Sequence, residues 1–243
     1  MTHEIQNFTF QNPTKILFGR NRIEDIDNEI PKDAKVLVLY GGGSVKKNGA
    51  FDRAVKALGN REWDEFSGIE ANPTFETLMK AVEKVRAENF TYLLAIGGGS
   101  VIDGTKFVSA ASLFTEDPVD LFGWGVGKGL PVQEVVPFGT ILTLPATGSE
   151  MNAGAVITLV EKKAKVSFRG PKTFPVFSVL EPELTYTLPV RQLVNGLLDT
   201  FIHVMENYLT YPVGALLQDR YAESILQTLI EIAPRVIDTD HID

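Results

Sequence analysis

Two short apolar runs in this sequence end in the same abrupt way, and they constrain the fold more than any other feature. Val36-Leu37-Val38-Leu39-Tyr40 stops in Gly41-Gly42-Gly43-Ser44, and Tyr92-Leu93-Leu94-Ala95-Ile96 stops in Gly97-Gly98-Gly99-Ser100. A nearly continuous apolar run of this length is the pattern of a strand buried on both faces, as in parallel sheets covered by helices. A strand that runs into consecutive glycines and then into a helix gathers backbone N–H groups around one small volume, with no Cβ atoms to block approach. That construction is a phosphate cradle. One glycine triplet also serves a tight turn for steric reasons. Two of them, on successive strand ends, point to a ligand beyond the carboxyl edge of an open α/β sheet.

The rest of the chain fits that frame. Lys15-Ile16-Leu17-Phe18 reads as a first strand ending at Gly19, followed by a helical stretch to Ile30. A helix is expected from Phe51 to Leu58, a short strand from Trp63 to Phe66, and a helix capped at Asn72-Pro73-Thr74 and running through Val85. Its positions Leu78, Ala81, Val82 and Val85 share one face. A helix from Val101 to Leu113 follows the second glycine triplet, and the Gly-rich stretch Phe114 to Lys128 reads as an exposed loop. Strands resume near Val135 to Leu144, Ala155 to Leu159, Lys165 to Phe168 and Val176 to Leu180. After Glu181-Pro182 the β-branched runs give way to helical periodicity in Gln192 to Leu209 and Leu216 to Ile232. The expected fold class is α/β: a Rossmann-like, mostly parallel sheet in residues 1–181, then the start of an all-helical domain in residues 182–243.

Composition excludes more than it assigns. With 243 residues and 44% apolar content the chain can bury a sizeable core. Its 31 acidic and 23 basic side chains give a net charge of -8, which repels nucleic acid and anionic membranes alike. No cysteine is present, so disulfides, thiolate nucleophiles and Cys-ligated metal centres are excluded by inventory. The opening MTHEIQNFTFQNPT is too polar for a signal peptide, and no apolar run is long enough to cross a bilayer. A cytoplasmic protein is the expectation.

Neither glycine loop matches G-x-G-x-x-G, so the cradle must be a variant of the usual dinucleotide fingerprint. Enzymes selective for NAD place a carboxylate on the adenosine ribose hydroxyls, where it would repel a 2′-phosphate. The segment Gly41-Gly42-Gly43-Ser44-Val45-Lys46-Lys47 carries no acid, one hydroxyl and two cations. NADP is the cofactor this favours. In the later helix, Asp199 and His203 stand four residues apart and so project from one face, a spacing compatible with a solvated pair or with metal ligation.

Two segments carry a family resemblance. Gly97-Gly98-Gly99-Ser100-Val101-Ile102-Asp103-Gly104-Thr105-Lys106 resembles the pyrophosphate-binding segment of the iron-containing (group III) alcohol dehydrogenases, and Thr143-Leu144-Pro145-Ala146-Thr147-Gly148-Ser149-Glu150 resembles their second signature, beside the nicotinamide. The similarity runs through Tyr186-Thr187-Leu188-Pro189 to Asn195 and is closest to the butanol dehydrogenase branch. The resemblance implies a dehydroquinate synthase-like fold and an NADP(H)-dependent alcohol dehydrogenase or aldehyde reductase acting on a small primary alcohol or aldehyde. It implies that Gly41, Gly42 and Ser44 meet the 2′-phosphate end and that Gly98, Gly99, Ser100 and Asp103 meet the pyrophosphate and ribose. Thr143, Thr147, Asn152 and Lys165 would meet the rest of the cofactor, and Asp199 and His203 would be the first two ligands of a divalent metal, Fe²⁺ or Zn²⁺. No side chain stands out as a general base.

The chain departs from the family in one respect. The other two metal ligands there are histidines of a downstream helical domain, whereas this sequence has only His3, His203 and His241. A truncated member is therefore expected, with weak metal binding and exposed apolar surface after Pro189 that drives association into a homo-oligomer. Two other readings stay open: a glycerol dehydrogenase or dehydroquinate synthase on the same scaffold, and a nucleotide-binding module without catalysis.

Overall fold

In a computed structural model, which describes residues 7–210 and 214–238, six of the eight strands form one sheet. They are β1 (Lys15–Phe18), β2 (Val36–Tyr40), β3 (Trp63–Phe66), β4 (Tyr92–Gly98), β5 (Phe138–Leu144) and, after the hairpin of β6 (Gly154–Leu159) and β7 (Ala164–Arg169), β8 (Phe177–Leu180). Their spatial order is β1-β8-β5-β4-β2-β3, with parallel pairing of β1 to β8, β8 to β5, β4 to β2 and β2 to β3. The hairpin is a separate antiparallel sheet.

The alternation of side chains along each buried strand divides the interior into two cores. Val36, Val38, Tyr40, Tyr92, Leu94 and Ile96 enter one, and Leu37, Leu39, Leu93 and Ala95 enter the other. The helices that cover these faces are α1 (Ile26–Glu29), α2 (Ser44–Lys47), α3 (Ala50–Leu58), α4 (Phe75–Glu88) and α5 (Gly99–Leu113). Residues of α1 and α3 belong to the first core, those of α4 and α5 to the second. Each fully buried Leu or Val here contributes about 1.5–3 kcal/mol over its exposed state, so a one-residue register slip would forfeit several such terms at once.

Four local features differ from the expectation. The stretch before Ile30 is a single 3₁₀ turn, Ile23–Asp25, leading into the four-residue α1, and Ile30 itself is extended at φ -98°, ψ 130°. Pro31 explains the stop, because a proline disfavours helical geometry in the residue before it. Strand β5 begins at Phe138 because Pro137 has no N–H to give a ladder, although its carbonyl accepts from the Leu93 N–H. The helical turn α2 was not anticipated; it follows Gly43 at φ +90°. The stretch Phe114 to Lys128 is not simply an exposed loop. It holds a 3₁₀ turn, Pro118–Leu121, capped by the Asp117 carboxylate, and the buried Phe122 ring stacks on Phe107 at 5.6 Å and 12°.

The chain divides into two compact units, one of Pro13–Thr143 and Gly148–Thr185, the other including Leu144–Thr147 and the residues from Tyr186 onward. The second unit contains α6 (Val190–Tyr208) and α7 (Leu216–Ile237). Within it Gly196 is the buried point of α6, where a Cβ would lie 2.7 Å from the Pro145 carbonyl oxygen, and Thr200 Oγ1 donates to Gly196 O at 2.8 Å. No helix among the described residues is long and apolar enough to cross a membrane.

Candidate functional site

Because β2 and β4 lie side by side in parallel, their two glycine runs emerge next to each other at one edge of the sheet. The glycines serve different needs. A Cβ on Gly97 would stand 2.6 Å from Val101 Cγ2, and one on Gly41 would stand 3.0 Å from the Ile69 carbonyl oxygen, so packing alone demands glycine at the first and is tight at the second. Gly42 and Gly43 face open space, with nothing within 4 Å of an added Cβ. Gly98 is extended at φ -87°, ψ -171° and leads into α5, whose first turn, at Gly99 and Ser100, carries no acidic residue. The positive end of a 15-residue helix therefore points out of this edge without a carboxylate to occupy it.

Behind that edge lies a polar cluster the sequence reading only partly anticipated. Lys106 is fully buried on α5, and its ammonium donates to Ser149 Oγ at 2.8 Å, Asn152 Oδ1 at 2.9 Å and the Gly154 carbonyl at 2.8 Å. All three ammonium protons thus have acceptors. Asp103, one turn earlier, accepts from Ser149 Oγ at 2.6 Å and from the Val156 N–H at 2.9 Å. Asn152 also accepts from the Gly154 N–H at 2.9 Å and donates to the Gly148 carbonyl at 3.1 Å. Burial pushes the Lys106 ammonium down to about 8, against the opposing pull of the Asp103 and Glu150 charges. Burial also lifts the Asp103 carboxyl above its usual range, opposed by the Ser149 hydrogen bond and the Lys106 charge. The cluster fixes the loop after Gly148 to the helix that begins at Gly99. Lys106 had a signal in the sequence: a lone cation in a helix that is otherwise apolar on most of its faces.

A second set of contacts joins the hairpin to the same edge. Lys165 on β7 donates to Asn72 Oδ1 at 2.8 Å, and the Asn72 N–H donates to Ser100 Oγ at 3.4 Å. Asn72 adopts φ +62° and leads through Pro73, whose carbonyl accepts from the Thr158 N–H at 2.9 Å. Lys165 and Ser100, distant in sequence, are therefore bridged by a residue that the sequence marked only as a turn. Thr143 is nearly buried at the end of β5, and Thr147 is exposed in the other unit.

The first glycine loop differs from its sequence reading. That segment carries no acid of its own, yet β3 brings one to it. Lys46 Nζ lies 2.7 Å from Glu65 Oε2 and 3.0 Å from Oε1, while the Tyr40 hydroxyl donates to Glu65 Oε2 at 3.1 Å. Ser44 and Lys47 are exposed beside this pair.

In the second unit, Asp199 and His203 share a face of α6, with His203 Nε2 3.7 Å from Asp199 Oδ2 and His203 Nδ1 3.6 Å from Glu206 Oε2. All three side chains are well exposed. No group of three or more His, Cys, Asp or Glu side chains suited to a metal occurs among the described residues. An imidazole and a carboxylate one helical turn apart can still supply two ligands to Fe²⁺ or Zn²⁺. His3 and His241 lie outside the described residues.

Comparison with known proteins gives the family and the fold. The family model for iron-containing alcohol dehydrogenase matches residues 13–182. The NADPH-dependent aldehyde reductase YqhD of Escherichia coli (strain K12) is 50% identical over 235 residues, which is 96% of this chain and 60% of that protein. Probable NADH-dependent butanol dehydrogenase 1 of Bacillus subtilis (strain 168) is 42% identical over 236 residues, with the same coverage of each. Among solved structures, E. coli K-12 YqhD superposes with a TM-score of 0.91 at 49% identity, covering 96% of this chain and 61% of that one. NADH-dependent butanol dehydrogenase A from Thermotoga maritima gives a TM-score of 0.89 at 37% identity, covering 98% and 61%. The chain spans about 60% of the length of the curated relatives it matches.

Proposed function

The chain belongs to the iron-containing alcohol dehydrogenase family, and on that premise we propose that the protein transfers a hydride between NADP(H) and a small primary alcohol or aldehyde such as butanol or its aldehyde. In this reading residues 1–181 form the NADP-binding domain and residues 182–243 the beginning of a helical metal-binding domain. Gly41, Gly42 and Ser44 receive the 2′-phosphate end of the cofactor, Gly98, Gly99, Ser100 and Asp103 the pyrophosphate and ribose, and Thr143, Thr147, Asn152 and Lys165 the remainder. Asp199 and His203 contribute two ligands to a divalent metal, Fe²⁺ or Zn²⁺. Bound there, the metal would supply Lewis-acid polarisation of the substrate oxygen.

The observation that carries the reading is the glycine-lined edge. Gly42 faces open space where packing does not require glycine, and the loop beside α5 is anchored by the buried Lys106. Asn152 is held on both its amide atoms by that cluster, which fixes its orientation before any ligand arrives. A cytoplasmic location and a homo-oligomer belong to the same proposal. The cysteine-free composition is compatible with a reducing compartment, and the exposed Leu198, Ile202, Leu216 and Leu217 on α6 and α7 offer apolar surface for association.

A second reading, a nucleotide-binding module without turnover, is favoured by the two-ligand metal set on α6. Calorimetric titration with NADPH, then with Fe²⁺ or Zn²⁺, followed by butyraldehyde-dependent NADPH oxidation, separates the two. Saturable NADPH binding with turnover supports the enzyme. NADPH binding with weak metal binding and no turnover supports the module. Gly42→Val tests the edge itself: a Cβ there has nothing within 4 Å, so the substitution should cost little thermal stability while weakening NADPH at least roughly tenfold through a steric block. Unchanged affinity would overturn the placement of the cofactor.

A further inference from the structure

The pairing of Lys46 with Glu65 bears on which dinucleotide the edge prefers. Lys46 sits one turn beyond Gly43, its N–H donating to the Gly43 carbonyl at 3.1 Å, so it belongs to the helical turn that leaves the open glycines. It is not a loose surface cation. It lies 4.5 Å above the Phe51 ring centroid and 5.2 Å from that of Tyr40, and both oxygens of Glu65 are within hydrogen-bond reach. The two rings are themselves locked edge-to-face at 5.3 Å, and Phe51 packs edge-on to Trp63, which opens β3. Glu65 is fixed on its side by the strand register that sets it opposite Val38 and by the Tyr40 hydroxyl. Next to this assembly, the Gly68 N–H donates to the Gly41 carbonyl at 3.1 Å, which ties the chain leaving β3 to the first glycine of the loop.

We propose that Glu65 is a specificity-determining residue that moderates the preference for NADP over NAD by holding Lys46, the cation best placed to meet a 2′-phosphate. The inference rests on the proposed placement of the adenosine end at Gly41, Gly42 and Ser44. A carboxylate at this position has two effects of the same sign. It competes with the phosphate for the ammonium, and its own charge repels the phosphate, as the ribose-binding acid of NAD-selective folds does. NAD has no phosphate at that site, so neither effect penalises it. The acid comes from β3, 19 residues beyond Lys46 in sequence, so the loop's own residues give an incomplete account of the selectivity. Both side chains remain partly exposed, 43% for Lys46 and 37% for Glu65, so the pair can part when a ligand arrives and its influence should weaken with salt.

The experiment measures dissociation constants of NADPH and NADH for the full 243-residue chain and for Glu65→Gln, Lys46→Ala and the double variant, at low and moderate ionic strength. The fragments 2′,5′-ADP and AMP isolate the adenosine end. Glu65→Gln should tighten NADPH and 2′,5′-ADP by roughly three- to fivefold, the upper range of a partly exposed charge pair, and leave NADH and AMP within about twofold. Retained NADH binding doubles as the check that the variant is folded. Lys46→Ala should lower the NADPH preference, and in its background the gain from Glu65→Gln should be smaller, because only the direct repulsion of the phosphate is left to remove. An unchanged NADPH-to-NADH ratio in Glu65→Gln overturns the inference while leaving dinucleotide binding in place, and so does a gain of equal size without Lys46. Failure of both dinucleotides to bind the wild-type chain overturns the inference together with the reading beneath it.

Discussion

Lys106 and Asp103, one turn apart on α5, are joined through a hydroxyl from another segment: Ser149 Oγ accepts from the ammonium at 2.8 Å and donates to the carboxylate at 2.6 Å. The loop following Gly148 is thereby held to the helix that opens at the second glycine run. Replacing Lys106 with Met keeps the volume but leaves Asn152 Oδ1, the Gly154 carbonyl and Asp103 without their cation. The expected loss is about 3 kcal/mol, as for a buried ion pair broken on one side. A urea-unfolding midpoint within error of the wild type would contradict it.

The same lysine predicts a pH dependence. Its folded value is about 8, below the ordinary 10.5, so between those values the unfolded chain holds more protons at this site than the folded one. Stability from this group therefore rises with pH across that window: below about 8 the charge is buried at full cost, and above 10.5 the group is neutral in both states. The margin of wild type over Lys106→Met should widen between pH 7 and 9.5 by on the order of 1 kcal/mol. Urea titrations of both proteins at the two pH values measure it, and a narrowing margin would show the opposite sign.

Glu181, at the end of β8, has a fully buried side chain that accepts from the Arg22 N–H at 3.0 Å, the Ile23 N–H at 3.3 Å and both terminal nitrogens of Arg53, the nearer at 2.6 Å. The Arg53 guanidinium is correspondingly held even further into its charged form by Glu24 and Glu181. Glu181→Ala should cost about 3 kcal/mol, because it removes the buried one of Arg53's two carboxylates and strands two backbone donors. Glu24→Ala, which removes the more exposed partner of the same arginine at 2.9 Å, should cost no more than about 1 kcal/mol. Thermal melts of the two variants should differ accordingly; equal effects would mean that burial does not decide the strength of these pairs.

Gly139 lies directly across from Phe177 in the β5–β8 pairing, and a Cβ there would stand 2.2 Å from Phe177 Cζ. Gly139→Ala is expected to destabilise the sheet by about 2–3 kcal/mol through overpacking against a ring that has no exposed side to move toward. Adding Phe177→Leu should recover part of that loss, so the double variant will be more stable than the sum of the two single effects predicts. Strict additivity in denaturant unfolding would rule out the steric cause.

What the sequence disclosed follows from how local each determinant is. Strands β2 and β4 and the glycine runs after them were readable because double-sided burial and the abrupt stop are written in consecutive residues. The apolar face of α4 was readable from its 3.6-residue period, and its Thr74 cap accepts from the Thr77 N–H as a capping side chain should. Long-range partnerships were not readable. That Glu65 comes to Lys46 depends on β3 pairing beside β2, and that Lys106 is a clasp depends on a loop more than forty residues later. The anchoring of the stretch before Lys128 escaped notice for the same reason: its many glycines and polar residues outweighed one phenylalanine, Phe122, whose partners Phe107 and Phe168 lie in other elements.

The placement of β1 carries a kinetic consequence. This first strand pairs with β8, and Thr14 Oγ1 donates to the Pro175 carbonyl across 161 residues. A strand made that far ahead of its partner must therefore wait, unpaired, until nearly the last part of its own unit has been synthesised. Only Lys15 of its four residues is polar and it ends in an exposed phenylalanine, so what limits it as a template for other chains during that delay is its shortness and the charge at its start.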